Sequence, residues 1–353
     1  MASKIINNIR WFLPSQDREK NSEYDEIVVS SRIRIARNLA DLPFELKMKH
    51  NHCEQLLELL KNVLTGKLKG KFFGMENLSM LDKESLLECY LISPAFLKSE
   101  KPSALFITER GNVTVMINEE DHLRIQSLSH GLNFPEIASE AFEVETTIGE
   151  ELIYAFDKKY GFLTSCPTNI GTGLRASVLL HLPALVFTNE VEKVLKGAVQ
   201  IGMAVRGLFG EGSDTKGNLF QISNQQTLGM KEEELIDTIV KLAHMIIDIE
   251  MKARDVIMNK ARYEFEDKVA RSLAVLRSAR IISSDEVLNL VSAVRFGVGT
   301  GFIKDVELDT LNEIILVSRP ANIQIYFGEV LEEYERDVKR AEYIRKRLQA
   351  EKK

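Results

Sequence analysis

At 353 residues the chain can bury one large core or two moderate ones, and two domains is the better expectation. A 44% hydrophobic and 28% charged composition with 8 Pro and 20 Gly excludes a disordered or fibrous protein. The formal charge of −6 argues against general nucleic-acid binding, which needs a broad basic face. Cys53, Cys89 and Cys166 are too few and too dispersed for a disulfide framework. No apolar run approaches the ~18 residues of a membrane span, and Lys4 and Arg10 break the N-terminus where a leader would be apolar. A cytoplasmic protein without membrane contact is expected.

Short alternating runs dominate the first part of the chain. Ile27 to Ile35 alternates, so Arg32 and Arg34 share one face of a strand and Ile33 and Ile35 the other. Ala104 to Thr108 and Asn112 to Ile117 predict a hairpin across Glu109-Arg110-Gly111. Phe162 to Cys166, Ala184 to Thr188 and Asn218 to Ser223 are further strand candidates, and apolar spacing predicts helices over 51–64, 136–158 and 190–204. After Gly229 the acids Glu232 to Glu234 open an amphipathic helix to about Lys260, as acid at a helix start should. Ser283-Ser-Asp-Glu286 resembles a capping box, and the charged tail from Glu329 has helical period. The expected organisation is an N-terminal segment 1–23, an α+β domain 24–255 and a smaller all-helical domain 256–353.

Three stretches carry chemistry. Asn118-Glu-Glu-Asp-His-Leu-Arg124 puts three acids after an apolar strand. They form either a solvated acidic turn or the partners of a cation, a magnesium ion or a guanidinium. Arg206-Gly-Leu-Phe-Gly-Glu211, with Gly212 and Gly217, reads as a loop that closes over substrate or as an ordinary surface loop. Cys166-Pro-Thr-Asn-Ile-Gly-Thr-Gly-Leu-Arg175 contains a formal G-x-G-x-x-A, with Glu190 near the spacing of a ribose contact. A dinucleotide turn would set its first glycine directly after a strand, and Pro167 to Ile170 intervene. No G-x-x-x-x-G-K-[ST] occurs, so any phosphate site must be built another way. Cys166 is either an inert thiol or one placed to meet a cationic substrate.

Together with Ser30-Ser-Arg-Ile-Arg-Ile-Ala-Arg37 and Gly217 to Asn224, these stretches resemble the phosphagen kinases, the creatine and arginine kinase family, and within it the bacterial protein-arginine kinase branch. The resemblance spans about the first 255 residues and implies an antiparallel sheet flanked by helices, with ATP and Mg²⁺ as cofactors. It implies that Arg32, Arg34, Arg124, Arg175 and Arg206 grip the ATP phosphates. Ser30, Ser31 and Ile33 would line the nucleotide pocket, as would Ala176, Ser177, Val178 and Leu179, and Gly207, Leu208, Phe209 and Gly210. Glu120 and Glu211 would clamp the acceptor guanidinium with Cys166 beside it, Glu119 would lie near the magnesium shell, and Tyr90 would stack on adenine.

Small-molecule members carry a helical domain before the Ser-Arg-x-Arg strand, and here that strand starts near residue 27. An arginine side chain in a protein is therefore the expected acceptor. Arg336-Asp-Val-Lys-Arg340-Ala341 matches a phosphoarginine-recognition motif of the branch, against the alternative of routine i,i+4 pairs on a solvated helix. By the same resemblance the expected role is marking repressors or damaged proteins for Clp-type degradation. The implied partners are substrate proteins with exposed arginine, a Clp ATPase, a transcriptional repressor and a zinc-binding activator. A homodimer through apolar faces such as Leu288, Leu290 and Val291 is a further option. Two other readings stay open: a kinase for free arginine, and a non-catalytic phosphoarginine-binding adaptor.

Overall fold

The computed structural model describes residues 24–207 and 216–350. Eight antiparallel strands form one sheet: β1 (Val28–Arg37), β2 (Gly70–Gly74), β3 (Ala104–Thr108), β4 (Val113–Ile117), β5 (Leu123–His130), β8 (Leu174–His181), β9 (Met203–Gly207) and β10 (Leu219–Asn224). Their spatial order is β2-β3-β4-β5-β1-β8-β10-β9, which puts β1 at the centre. A separate two-stranded ribbon joins β6 (Phe156–Asp157) to β7 (Gly161–Phe162).

Residues opposite one another across a ladder share a face, so the registers sort the whole sheet. Ile33 and Ile35 on β1, Ile125 on β5 and Ala176 and Val178 on β8 line the apolar face and are buried. Three helices, His50–Lys67, Phe134–Gly149 and Glu232–Lys260, belong to the same core. On the other face a smaller apolar cluster under the helix Met80–Glu88 covers the β3–β4–β5 side. The remainder of that face is polar.

The structure differs locally from the periodicity. Ala184 to Thr188 belongs to a helix, Pro183–Phe187, not a strand. Pro183 suits a first helical turn, and Glu250 from the distant helix accepts the Ala184 and Leu185 N–H groups at 3.0 Å each. Of Phe162 to Cys166 only Phe162 is in a strand. The helix expected over 136–158 ends at Gly149, and the one over 190–204 ends at Gln200, where Gly202 at φ +82° turns the chain into β9.

Helix Glu232–Lys260 runs unbroken through residue 255 and gives way to Arg262–Ser278 at Ala261. The helical C-terminal part is anchored to the sheet. Buried Arg295 donates to the Asp25 and Glu26 carbonyls and at 2.6 Å to Asn312. Ser292 meets His181 at 2.8 Å and Asn218 at 2.7 Å. One apolar core, from Ile27 to Leu348, runs through both parts.

Candidate active site

The registers place five arginines on the polar face. Arg34 stands opposite Arg175 on β8 and opposite Gln126 on β5; Ala36, two residues along, stands opposite Arg124. Arg32 stands opposite Ser177, Ser177 opposite Ser223 on β10, and Arg206 of β9 joins the same face through Gln221 and Leu179. Strand parity alone converges these side chains from four strands.

Such a cluster repels itself. Burial and then Arg175 push the Arg32 guanidinium down to about 10, with Arg124 and Arg206 acting in the same direction. Arg34 is held well below its usual range by burial and then by Arg32, Arg124 and Arg175. Burial, Arg206 and Arg124 lower Arg175 too. The neutral hydroxyls that meet them, Ser177 on Arg32 at 3.4 Å and Ser223 on Arg175 at 3.2 Å, orient the guanidinium groups without neutralising them. The Arg34 Nε is buried with no hydrogen-bond partner among the described residues. The charge on Arg32, Arg34 and Arg175, which meet neutral hydroxyls or one another, suits a polyanion of phosphate type.

The three consecutive acids divide their work, and two of them are buried, unlike a solvated turn. Glu119 accepts from Ser93 Oγ at 2.5 Å, from Arg124 at 2.7 Å and from the Glu120 N–H at 2.8 Å. Its oxygens are spent on orienting Arg124 and the turn, so the carboxylate expected near the magnesium shell is enclosed by protein donors. Asp121 accepts from Asn38 at 2.7 Å and from the Ser165 N–H at 2.6 Å, tying this turn to the residue before Cys166. Glu120 alone reaches outward: one oxygen meets Arg124 at 3.1 Å, and its side chain is 41% exposed. Among the described residues its second oxygen has no hydrogen-bond partner. Cys166 is half-buried, 3.0 Å from Thr168 Oγ1.

The Gly-rich run leads into strand β8, not into the helix a dinucleotide turn requires, so that reading is excluded. Its glycines serve close approach. A Cβ on Gly171 (φ +111°) would fall 2.5 Å from the Thr227 carbonyl, and one on Gly173 (φ +62°) 2.6 Å from that of Ala36. Arg37 binds the same run through Thr172 O at 2.7 Å, pairs with Glu145 at 2.7 Å and lies over the Phe162 ring. The structural roles of Arg37, Ser93 and Asp121 have no local signal, because their partners are distant along the chain.

Ile33, Ala176 and Val178, expected to line the pocket, lie on the apolar core face, so only their backbone can border a ligand. Ser31 pairs with Val178 on that side, and its Oγ accepts from Asn133 N. Ser30, Leu179 and Gly207 are in strands β1, β8 and β9. Leu208, Phe209, Gly210 and Glu211 lie outside the described residues. Tyr90 sits near Arg32, its phenol raised by burial. In the C-terminal helix Glu333–Ala350, Arg340 is buried and donates to Ser318 O at 2.6 Å, Ile282 O at 2.8 Å and Asp337. Ala341 is buried as well, leaving Arg336 and Asp337 as the accessible part of that motif.

Among the described residues no group of three or more His, Cys, Asp or Glu could hold a metal. An arginine-lined face beside an outward carboxylate, without a P-loop, defines a phosphotransferase of guanidino type. Residues 51–253 match the family model for the ATP:guanido phosphotransferase C-terminal catalytic domain, and residues 262–353 match that for the protein-arginine kinase McsB C-terminal domain. The protein-arginine kinase of Clostridium kluyveri is 43% identical over 91% of this chain and 94% of its own length. That of Caldanaerobacter subterraneus is 42% identical over 92% and 98%. The chain belongs to the protein-arginine kinase family of ATP:guanido phosphotransferases.

Solved structures share the fold. The duplicated taurocyamine kinase from Schistosoma mansoni, with transition-state-analogue components bound, has a TM-score of 0.60 at 24% identity, over 67% of this chain and 35% of that one. Lombricine kinase has a TM-score of 0.59 at 21% identity, over 70% and 75%. No helix among the described residues is long and apolar enough to cross a membrane.

Proposed function

We propose that this chain transfers the γ-phosphoryl group of Mg-ATP to arginine side chains in proteins. The observation that carries this reading is the convergence of Arg32, Arg34, Arg124, Arg175 and Arg206 on one sheet face beside the outward carboxylate of Glu120. The names of its relatives support a protein as the acceptor. Arg32, Arg34 and Arg175 hold the phosphates and stabilise charge on the transferring group, which is most of what phosphoryl transfer asks of a protein. When bound, Mg²⁺ supplies further charge neutralisation on the phosphate oxygens.

The acceptor needs different help. A guanidinium keeps its proton to above pH ~12 and is no nucleophile while protonated. Glu120, fixed on one side by Arg124, orients the incoming guanidinium and takes up its proton; Glu211 is proposed as the second carboxylate and Cys166 as a neighbour of the acceptor. Marking of repressors or damaged proteins for a Clp-type protease is the cellular role we propose, with a Clp ATPase, a repressor and a zinc-binding activator as partners. The test is incubation with Mg-ATP and either an arginine-bearing protein or free arginine. Acid-labile phosphoarginine on the protein supports the reading. Product from free arginine alone would move the acceptor to a small molecule, and phosphate only on Ser, Thr or Tyr would overturn both.

A further inference from the structure

Strand β1 changes partner at its end. Arg37 still pairs with Leu123 of β5, but Leu39 pairs with Tyr154. The Asn38 carbonyl accepts from the Ala155 N–H at 2.8 Å, and the Ala40 N–H donates to Ile153 O at 2.9 Å. Residue 38 thus stands in a fork between the β4–β5 turn and the segment that leads into ribbon β6–β7. A fork leaves backbone groups that no ladder pairs, and where they are buried they need other partners.

The Asn38 side chain is that partner. It is buried, at 1% exposure, and an amide offers two donor hydrogens and an acceptor oxygen. Nδ2 donates to Asp121 Oδ1 at 2.7 Å and to Leu163 O at 3.2 Å, and Oδ1 accepts from the His122 N–H at 2.8 Å. The Leu39 N–H adds a bond to His122 Nδ1 at 3.0 Å. Asp121 Oδ1 also accepts from the Ser165 N–H at 2.6 Å, so one oxygen joins the turn to the residue before Cys166.

These bonds surround Glu120. The Asn118 N–H closes the turn on His122 O at 3.1 Å, and Asn118 Nδ2 donates to Pro102 O at 2.7 Å. Glu119 is held by Ser93 and Arg124, and Asp121 and His122 by Asn38. Of residues 118–122 Glu120 alone is not buried, so its neighbours and Arg124 set its direction. We propose that Asn38 is a positioning residue for phosphoryl transfer: it fixes the turn that aims Glu120 at the acceptor and locks that turn to the segment carrying Cys166. Arg32 and Arg175 take their hydroxyl contacts from Ser177 and Ser223, outside the fork, so acceptor geometry depends on Asn38 and nucleotide binding does not. The inference rests on the reading of Glu120 as the carboxylate that receives the acceptor.

The test uses the full chain, with kcat and KM for an arginine-bearing protein measured beside direct calorimetry of Mg-ATP binding, all below the unfolding temperature of each variant. Asn38→Ala should lower kcat about tenfold, and Asn38→Asp, which sets two carboxylates face to face, about 100-fold, the scale of a misplaced catalytic group. ATP affinity should stay within about twofold of the parent in both. Asp121→Ala breaks the same link from its other end and should match Asn38→Ala, whereas Asp121→Asn keeps Oδ1 for both donors and should retain most of kcat. Because Asn38 acts through Glu120, adding Asn38→Ala to Glu120→Gln should lower kcat by less than about twofold further. Multiplied losses in that double variant, or ATP binding that falls in step with kcat, would make Asn38 a general support of the fold and overturn the proposal. Normal kcat in Asn38→Ala beside a crippled Glu120→Gln would overturn this inference alone. Full turnover by Glu120→Gln would overturn the reading of Glu120 and this inference with it.

Discussion

Glu119 and Glu120, adjacent in sequence, hold the two ends of one guanidinium: Arg124 reaches Glu119 at 2.7 Å through one nitrogen and Glu120 at 3.1 Å through the other. Their surroundings separate their roles. The Glu119 side chain is 2% exposed and that of Glu120 41%. Removing one partner of a buried pair leaves an uncompensated charge, and Arg124 already sits among like charges. Glu119→Ala should therefore cost about 2–3 kcal/mol of stability in urea titrations, softened because Arg124 keeps Glu120. Glu120→Gln should change stability by less than about 0.5 kcal/mol yet lower kcat by about 100-fold or more through loss of the proton acceptor. Equal effects of the two substitutions on stability and turnover would refute the division.

The arginine face holds a conflict between stability and function. Arg34 is depressed by burial and three neighbouring arginines, and its Nε is buried with no partner among the described residues. Arg34→Met keeps the stem's packing and removes the repelled charge. The ligand-free variant should be more stable than the parent by about 1–2 kcal/mol while losing measurable ATP binding. In the parent, ATP at about 100 times its Kd should add ~2.7 kcal/mol, and the variant should show no such shift. A less stable variant would mean that Arg34 is compensated in the free protein.

Buried His181 links stability to pH. Burial, then Arg295 and Arg254, hold its imidazole well below the usual value, and Ser292 meets its Nε2 at 2.8 Å. A depressed folded-state pKa means the unfolded chain takes up the proton first. The contribution is thus complete above the unfolded value of ~6.5 and is lost as pH falls below it. Buried Glu250 and half-buried Glu88 and Glu140 are raised by burial and act with the opposite sign, so the informative quantity is a difference. Between about pH 7 and pH 5 the parent should lose more stability than His181→Gln does, measured by urea unfolding at each pH. Parallel pH profiles would exclude His181 as a source of acid sensitivity.

What was legible in the sequence divides along physical lines. Alternation over Ile27 to Ile35 showed that Arg32 and Arg34 share a face, because parity is local. That Arg124, Arg175 and Arg206 join them depends on registers between strands distant in sequence, such as Arg32 opposite Ser177, which no local period contains; only the resemblance groups them. The burial of Glu119 and Asp121 was hidden for the same reason, since Ser93, Asn38 and Ser165 meet them only in the fold. Ala184 to Thr188 reads as a strand because the cap of its helix, Glu250, lies on another helix. The tail motif shows the converse: four residues matched a recognition signature, yet Arg340 is committed to two backbone carbonyls.

That commitment yields a separation within the motif. Arg340 is 1% exposed and staples helix Glu333–Ala350 to Ser318 and Ile282, with Asp337 as its carboxylate partner. Arg340→Ala strands two buried carbonyls and Asp337, so it should cost about 3 kcal/mol and lower the unfolding temperature by several degrees. Arg336 is half-buried and makes one long bond, 3.4 Å, to Leu331 O. Arg336→Ala should cost under about 0.5 kcal/mol. If the motif reads phosphoarginine, Arg336→Ala should weaken binding of a phosphoarginine peptide to the full chain about tenfold or more, the loss expected for a charge-assisted phosphate contact. Unchanged peptide binding in Arg336→Ala, alongside the stability loss in Arg340→Ala, would assign the motif to packing alone.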